Sequence, residues 1–379
     1  MLGLLYFGRL DEEKGVDGII DMIEKFGKED KQLPFELFIF GTGKYEARLL
    51  ELATQYKEIH IFGWKTIEEI KRYVINCQYC LVPSTFLETF GLTALNALTW
   101  GLPVIGYKKW GLIPFVEESL DLSKQKWHSV GDQLFHMMKQ ILDGKIYSKS
   151  ITSKEERQKQ YSIDARKTKV RFMLDDKKKI LLVSDFTSKV GGIETYIHDV
   201  KAILEGMWYE VRIFGTTLSR GPAGKRKKLA GIAWWVCNFV DAFRLWRLCS
   251  QWKPDVIWYN SILRWIGWMG VWTTKNSGAE RWMMYHDFGY VYPFPYALKD
   301  TKQVLTPLTW KHFKTMANTK NPIKLLLVFG KYLSLVWIKK QMKYIDLHLV
   351  PSLFMEGIIK DSYHLPVGKV KTLDHFLQG

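Results

Sequence analysis

Glu88 stands just ahead of Thr89-Phe90-Gly91-Leu92 in the run Leu81 to Ile105, LVPSTFLETFGLTALNALTWGLPVI. That run reads as a buried strand, a loop carrying Glu88, a helix, and then Gly101-Leu102-Pro103 leading into a second strand. The backbone amides of Thr89, Phe90 and Gly91 then fall at a helix N-terminus, where unpaired N–H donors and a partial positive charge suit a diphosphate. A glutamate there is also favoured by the helix dipole alone, by ~0.3–1 kcal/mol. Arg9 and Lys14, in FGRLDEEKG, lie just past an apolar run. Fixed cations at a strand end can neutralise a leaving diphosphate, but by composition alone a solvated charged loop is the favoured reading. Gly191 and Gly192 permit close backbone approach between a strand and a helix. His286, with Asp287 after it, follows the strand-like RWMMY; a lone histidine there is ordinarily a half-buried polar residue.

The elements that would position these residues alternate. LLYFG, ELFIFGTG and IHIFGW read as strands. VDGIIDMIEKF, EARLLELATQY and TIEEIKRYVINC read as helices, the last with Thr66 as N-cap. The strand ends carry Gly8, Gly41, Gly43 and Gly63. Strands separated by helices imply a parallel, doubly wound sheet, which binds ligands at the carboxyl ends of its strands. Residues 145–179 are polar and charged, with helical capacity from Glu155 to Tyr161, and read as a peripheral helix plus a connection. A second alternating unit follows: KILLVSDF, the Gly191-Gly192 turn, TYIHDVKAIL, YEVRIFG, a helix from about Trp234 to Trp252, PDVIWYN, RWMMYHD, YIDLHLVPS and VGKVKTLDHF.

Composition bounds the rest. The 379 residues are 47% hydrophobic and 15% aromatic, enough for two or three well-packed domains. A net charge of +16 implies an anionic partner. Without a nucleic-acid-binding signature, an anionic substrate or membrane surface is favoured over nucleic acid. Cys77 and Cys80 form a lone CxxC with no second ligand pair, which reads as buried side chains rather than a zinc site. MLGLLYFGRL lacks the basic start and apolar length of a signal peptide. No apolar run reaches ~18 residues; the longest, Leu325 to Ile338, is broken by Lys331. A cytoplasmic setting follows as the expectation, with a peripheral position at the inner face of the membrane as its extension. The basic run Lys225, Arg226, Lys227 and Lys228 precedes Trp234, Trp235, Phe239, Phe243 and Trp246. This mixture suits an anionic bilayer surface, although the same aromatics recur at helical spacing and could pack on a sheet.

Taken together, LLYFGRLDEEKG, the Glu88 loop, the Gly191-Gly192 turn and IDLHLVPSLFMEGIIKD resemble the retaining glycosyltransferases of family 4. Asn96 departs from that family's glutamate–x7–glutamate signature, standing where the second glutamate would grip ribose hydroxyls. The resemblance implies a GT-B fold: α/β, two Rossmann-like doubly wound parallel-sheet domains facing a cleft. It also implies roles. Arg9 and Lys14 bind the diphosphate, with Gly8 beside them. Glu88 accepts from sugar hydroxyls, while Thr89, Phe90, Gly91 and Leu92 hold phosphate oxygens. Gly191 and Gly192 close over the diphosphate, and His286 lies beside the transferred sugar.

The family's donor-type half comes first here and its acceptor-type half second, so the chain resembles a circular permutation cut at the interdomain hinge. The expected division is residues 1–150 for the donor domain, 151–178 for a helix and linker, and 179–379 for the acceptor domain. The expected activity is transfer of a mannose- or glucose-type hexose from a GDP- or UDP-linked sugar to a glycan or lipid-linked acceptor. It would proceed by a front-face, metal-independent mechanism with no cofactor. A nucleotide-sugar epimerase and a non-catalytic nucleotide- or lipid-binding module are the alternatives.

Overall fold

The computed structural model describes residues 1–148, 154–185, 187, 192–216, 238–263, 266–292, 309–311, 314 and 321–375. They form two compact units, one of Met1–Ser162 with His375–Gly379, the other of Ile163–Asp374.

The first unit runs β1 (Leu2–Phe7), α1 (Val16–Glu29), β2 (Phe35–Phe40), α2 (Glu46–Gln55), β3 (Ile59–Ile61), α3 (Ile67–Lys71), β4 (Tyr79–Val82), α4 (Leu92–Thr99), β5 (Val104–Gly106), β6 (Val116–Asp121), α5 (Val130–Leu142) and α6 (Lys154–Gln160). Its strands are parallel in the order β3-β2-β1-β4-β5-β6. Both faces of the sheet are covered, so its strands read as continuous apolar runs rather than alternating ones. Leu4 and Tyr6 of β1 join Ile19, Ile23 and Phe26 of α1 and Leu134 and Met138 of α5 on one face. Leu5 and Phe7 point the other way, onto Ala94, Leu95 and Leu98 of α4. Each such buried aliphatic side chain contributes ~1.5–3 kcal/mol.

The second unit runs α7 (Ile163–Leu174), β7 (Lys179–Val183), α8 (Gly192–Glu205), β8 (Glu210–Phe214), α9 (Phe239–Trp252), β9 (Val256–Tyr259), α10 (Gly267–Thr273), β10 (Glu280–Met284), α11 (Pro322–Gln341), β11 (Leu347–Val350), α12 (Leu353–Tyr363) and β12 (Val370–Thr372). It repeats the plan in the order β12-β11-β10-β9-β7-β8, again parallel.

In each sheet the strand order reverses once. The break lies between β1 and β4 in the first and between β7 and β9 in the second. Loops leaving neighbouring strands depart to opposite faces there and leave a crevice at the carboxyl ends.

Several details were not visible in sequence. The α6 segment belongs to the first unit and α7 to the second. The segment TIEEIKRYVINC is a short helix followed by a 3-10 turn at Val74–Asn76. Cys77 and Cys80 are buried free thiols, and burial pushes Cys77 up to about 12. Among the described residues no helix is long and apolar enough to cross a membrane.

Thr66 caps α3 through a reciprocal box: its Oγ1 accepts from Glu69 N at 3.3 Å, and Glu69 Oε2 accepts from Thr66 N at 2.8 Å. Thr66→Ala is expected to cost about 1 kcal/mol, read as a lower urea midpoint at unchanged slope.

Candidate active site

Glu88 and Lys14 meet at the crevice of the first sheet. Lys14 leaves the turn after β1 and Glu88 the loop after β4, and Lys14 Nζ lies 2.5 Å from Glu88 Oε1. Ser84 Oγ donates to the same oxygen at 2.8 Å, so neither partner engages Oε2. Both side chains are mostly buried, with 24% and 14% of their surfaces exposed. Water screens such a pair less than it screens a surface ion pair.

The backbone enforces this meeting. Glu13 O accepts from Thr85 N at 3.1 Å and Phe86 N at 3.2 Å, stitching the β4 loop to the β1 loop. Gly15 closes the turn with φ +72°, and a Cβ there would lie 2.2 Å from Pro83 O. Glu88 O accepts from Gly111 N at 3.0 Å, which fixes the other side of the loop.

The helix behind Glu88 begins at Gly91, whose φ of +97° admits no ordinary side chain, and no side chain caps it. Its first-turn amides therefore present the partial positive charge expected of a helix start. Phe90 anchors the loop by packing edge-on against Phe115 and His375. Thr89 is half-buried and Leu92 is 47% exposed.

Arg9 lies farther out. Its guanidinium bridges Asp11 at 2.9 Å and Glu13 at 2.8 Å and is half exposed. Asn96 donates through Nδ2 to Leu92 O at 2.9 Å, one turn back on its own helix.

Two residues near this site carried no signal in sequence: Ser84, an ordinary loop serine, and Trp64. Trp64 is 70% exposed beside a cavity of about 290 Å³ lined by Phe7, Gly8, Phe40, Thr42 and Lys65.

The second unit holds a separate cluster. His286 follows β10, and its Nε2 lies 3.2 Å from Asn260 Oδ1, just past β9. Its ring meets Tyr196 of α8 edge-on at 4.7 Å. Arg166 of α7 donates to Tyr196 Oη at 2.5 Å and to the carbonyl of Asp374. Burial, and then the Arg166 charge, push His286 down to about 3, so it is neutral at pH 7. Asp287 accepts from Gly289 N at 2.7 Å and caps a 3-10 turn. Arg166, in a segment read as peripheral, and Asn260, a residue ending a strand, gave no warning of these roles.

Gly192 opens α8; Gly191 and the run Lys225, Arg226, Lys227 and Lys228 lie outside the described residues. Among the described residues no group of three or more His, Cys, Asp or Glu could hold a metal ion.

Residues 3–121 match the family model described as glycosyl transferases group 1. The chain is 32% identical over 122 residues to the UDP-N-acetylglucosamine--peptide N-acetylglucosaminyltransferase GtfA subunit of Streptococcus agalactiae, covering 31% of this chain and 23% of that one. It is also 32% identical over 117 residues to granule-bound starch synthase 1 of Ipomoea batatas, covering 30% of this chain and 18% of that one. The chain thus spans about a quarter or less of these relatives' length. Among solved structures, the pneumococcal O-GlcNAc transferase GtfA in complex with UDP and GlcNAc aligns at 23% identity with a TM-score of 0.32. That alignment covers 38% of this chain and 29% of that one.

Two predictions follow from the geometry. Gly15→Ala would strain a left-handed φ and push the turn off Pro83, at a cost of ~1–3 kcal/mol; chemical denaturation reads this directly. The second concerns pH. His348, whose Nε2 is buried without a hydrogen bond, is also pushed down to about 3, first by burial and then by Lys369. Unfolded histidine titrates near ~6.5. Between these values the unfolded chain binds protons that the native chain refuses, so stability rises with pH. The melting temperature of the second unit should fall between about pH 7 and pH 5.5, and His348→Gln should flatten that slope.

Proposed function

We propose that the chain is a retaining GT-B glycosyltransferase that moves a hexose, of mannose or glucose type, from a GDP- or UDP-linked sugar to a glycan or lipid-linked acceptor. The observation that carries this reading is the Lys14–Glu88 contact in the β1/β4 crevice, ahead of an uncapped helix start. It lies within the stretch that matches glycosyl transferases group 1.

On this reading the diphosphate lies against the first-turn amides of α4, with Thr89 to Leu92 around it. Lys14 turns part of its charge from Glu88 to the phosphates as the leaving group develops charge. Arg9 adds a second cation once it exchanges its Asp11 and Glu13 partners. Glu88 Oε2 accepts from sugar hydroxyls. Trp64 offers a ring face to the base beside Gly8. Asn96 contacts ribose without charge assistance. The departing diphosphate takes the proton of the acceptor hydroxyl, so neither a side-chain nucleophile nor a metal is required. The second unit takes the acceptor, with His286 at its own crevice.

In the same reading the donor domain precedes the acceptor domain, as a circular permutation would place them. The chain passes between its two units at Ser162–Ile163 and again at Asp374–His375.

A separate observation favours an anionic membrane as a partner, at the cytoplasmic inner face. Phe239, Phe243 and Trp246 do not pack on the sheet. They lie along one side of α9 with 68%, 59% and 48% exposure, beside exposed Arg244 and Arg247. Sedimentation with anionic vesicles at low and high salt tests this; salt-insensitive absence of binding argues against it.

The reading of the site is tested by Glu88→Ala and Lys14→Ala. Both should abolish transfer while leaving the fold intact, and full activity in either would overturn the assignment. UDP or GDP at ~100 times its dissociation constant should add about 2.7 kcal/mol of stability. Sugar conversion without acceptor would indicate an epimerase, and nucleotide binding without turnover a binding module.

A further inference from the structure

We infer that Asn260 is a positioning residue that fixes the tautomer of His286, with the proton on Nε2 and the lone pair on Nδ1. Asn260 is 1% exposed and sits at the strand-order reversal of the second sheet. Its backbone is held on both sides. Its N donates to Val183 O at 2.9 Å, and its carbonyl accepts from Tyr290 Oη at 3.0 Å. Its side-chain amide has a determined orientation. Nδ2 faces Trp258 O at 3.1 Å, an atom that only accepts, so the amide nitrogen must be on that side. The amide oxygen therefore faces His286 Nε2, at 3.2 Å. A carbonyl oxygen cannot donate, so Nε2 must carry the hydrogen. A neutral imidazole has only one N–H, which leaves Nδ1 as its acceptor.

The neutral state has support from the other side. Tyr196 packs its ring edge-on to the imidazole, and the Arg166 guanidinium holds the Tyr196 hydroxyl. A positive charge one ring away opposes a second proton on His286. The strand-end carbonyl of Trp258 thus sets the amide, the amide sets the imidazole, and burial together with the nearby guanidinium keeps it uncharged. For the reaction, this part resting on the proposed transfer, Nδ1 is the nitrogen of His286 that accepts.

The experiment is long-range ¹H–¹⁵N spectroscopy of the full chain labelled at histidine, with His286 assigned from its loss in His286→Gln. At pH 7 wild type should show a single Nε2–H tautomer. Asn260→Ala should convert it to a mixture or to Nδ1–H, while Asn260→Asp, whose carboxylate can only accept from His286, should keep the proton on Nε2. An imidazolium or an Nδ1–H tautomer in wild type overturns the inference, as does an unchanged tautomer in Asn260→Ala. In the transfer assay, Asn260→Ala should lower kcat by ~10-fold or more with the donor KM unchanged, and Asn260→Asp should recover part of it. Absence of any transfer in wild type would strike the functional reading alone, since the tautomer is read without substrate.

Discussion

The reversal of strand order between β1 and β4 is the constraint on which the first unit depends. It sends α1 and α4 to opposite faces of one sheet, so the two loops part and leave an opening at the strand ends. An opening of this kind would ordinarily fill with water. Here the β1 turn is drawn across it by the Glu13 carbonyl and by the absence of a side chain at Gly15, and Lys14 is carried onto Glu88. Neither charge is fully desolvated, which moderates the cost of burying an ion pair. The pair is therefore close to a ligand-accessible surface and loaded against an uncapped helix start.

The second unit uses the same reversal differently. At its crevice between β7 and β9 the polar groups are neutral or turned inward: Asn260 on its own strand-end carbonyl, Asp185 on the amide of Ile266, Tyr290 on Asn260. Buried polar atoms of this kind stabilise only when satisfied, and here Asn260, held by Tyr290, meets the His286 imidazole. Charge is concentrated in the first unit's crevice and orientation in the second's.

Much of this was legible in the sequence because each signal was local. Strand–helix alternation, the Thr66 cap and the Glu88 loop all lie within single stretches, and all have the form expected of them. What escaped was set by distant chain. The strand β6, with its half-exposed VEESLD pattern and irregular register, has no clean periodicity to read. Asn260 looks like an ordinary strand end until the sheet brings His286 beside it. Arg166 sits in a charged segment that reads as surface, yet it is 4% exposed because Tyr196 and the Asp374 carbonyl receive it. The aromatic spacing of α9 supported two outcomes, and only the packed structure shows which side of the helix faces out.

The most direct test of the central claim is a crystal structure of the chain with UDP or GDP bound. The account predicts the diphosphate in the β1/β4 crevice, with phosphate oxygens within ~3 Å of Lys14 Nζ and of the first-turn amides of α4. A diphosphate bound elsewhere, with the Lys14–Glu88 contact undisturbed, would contradict it.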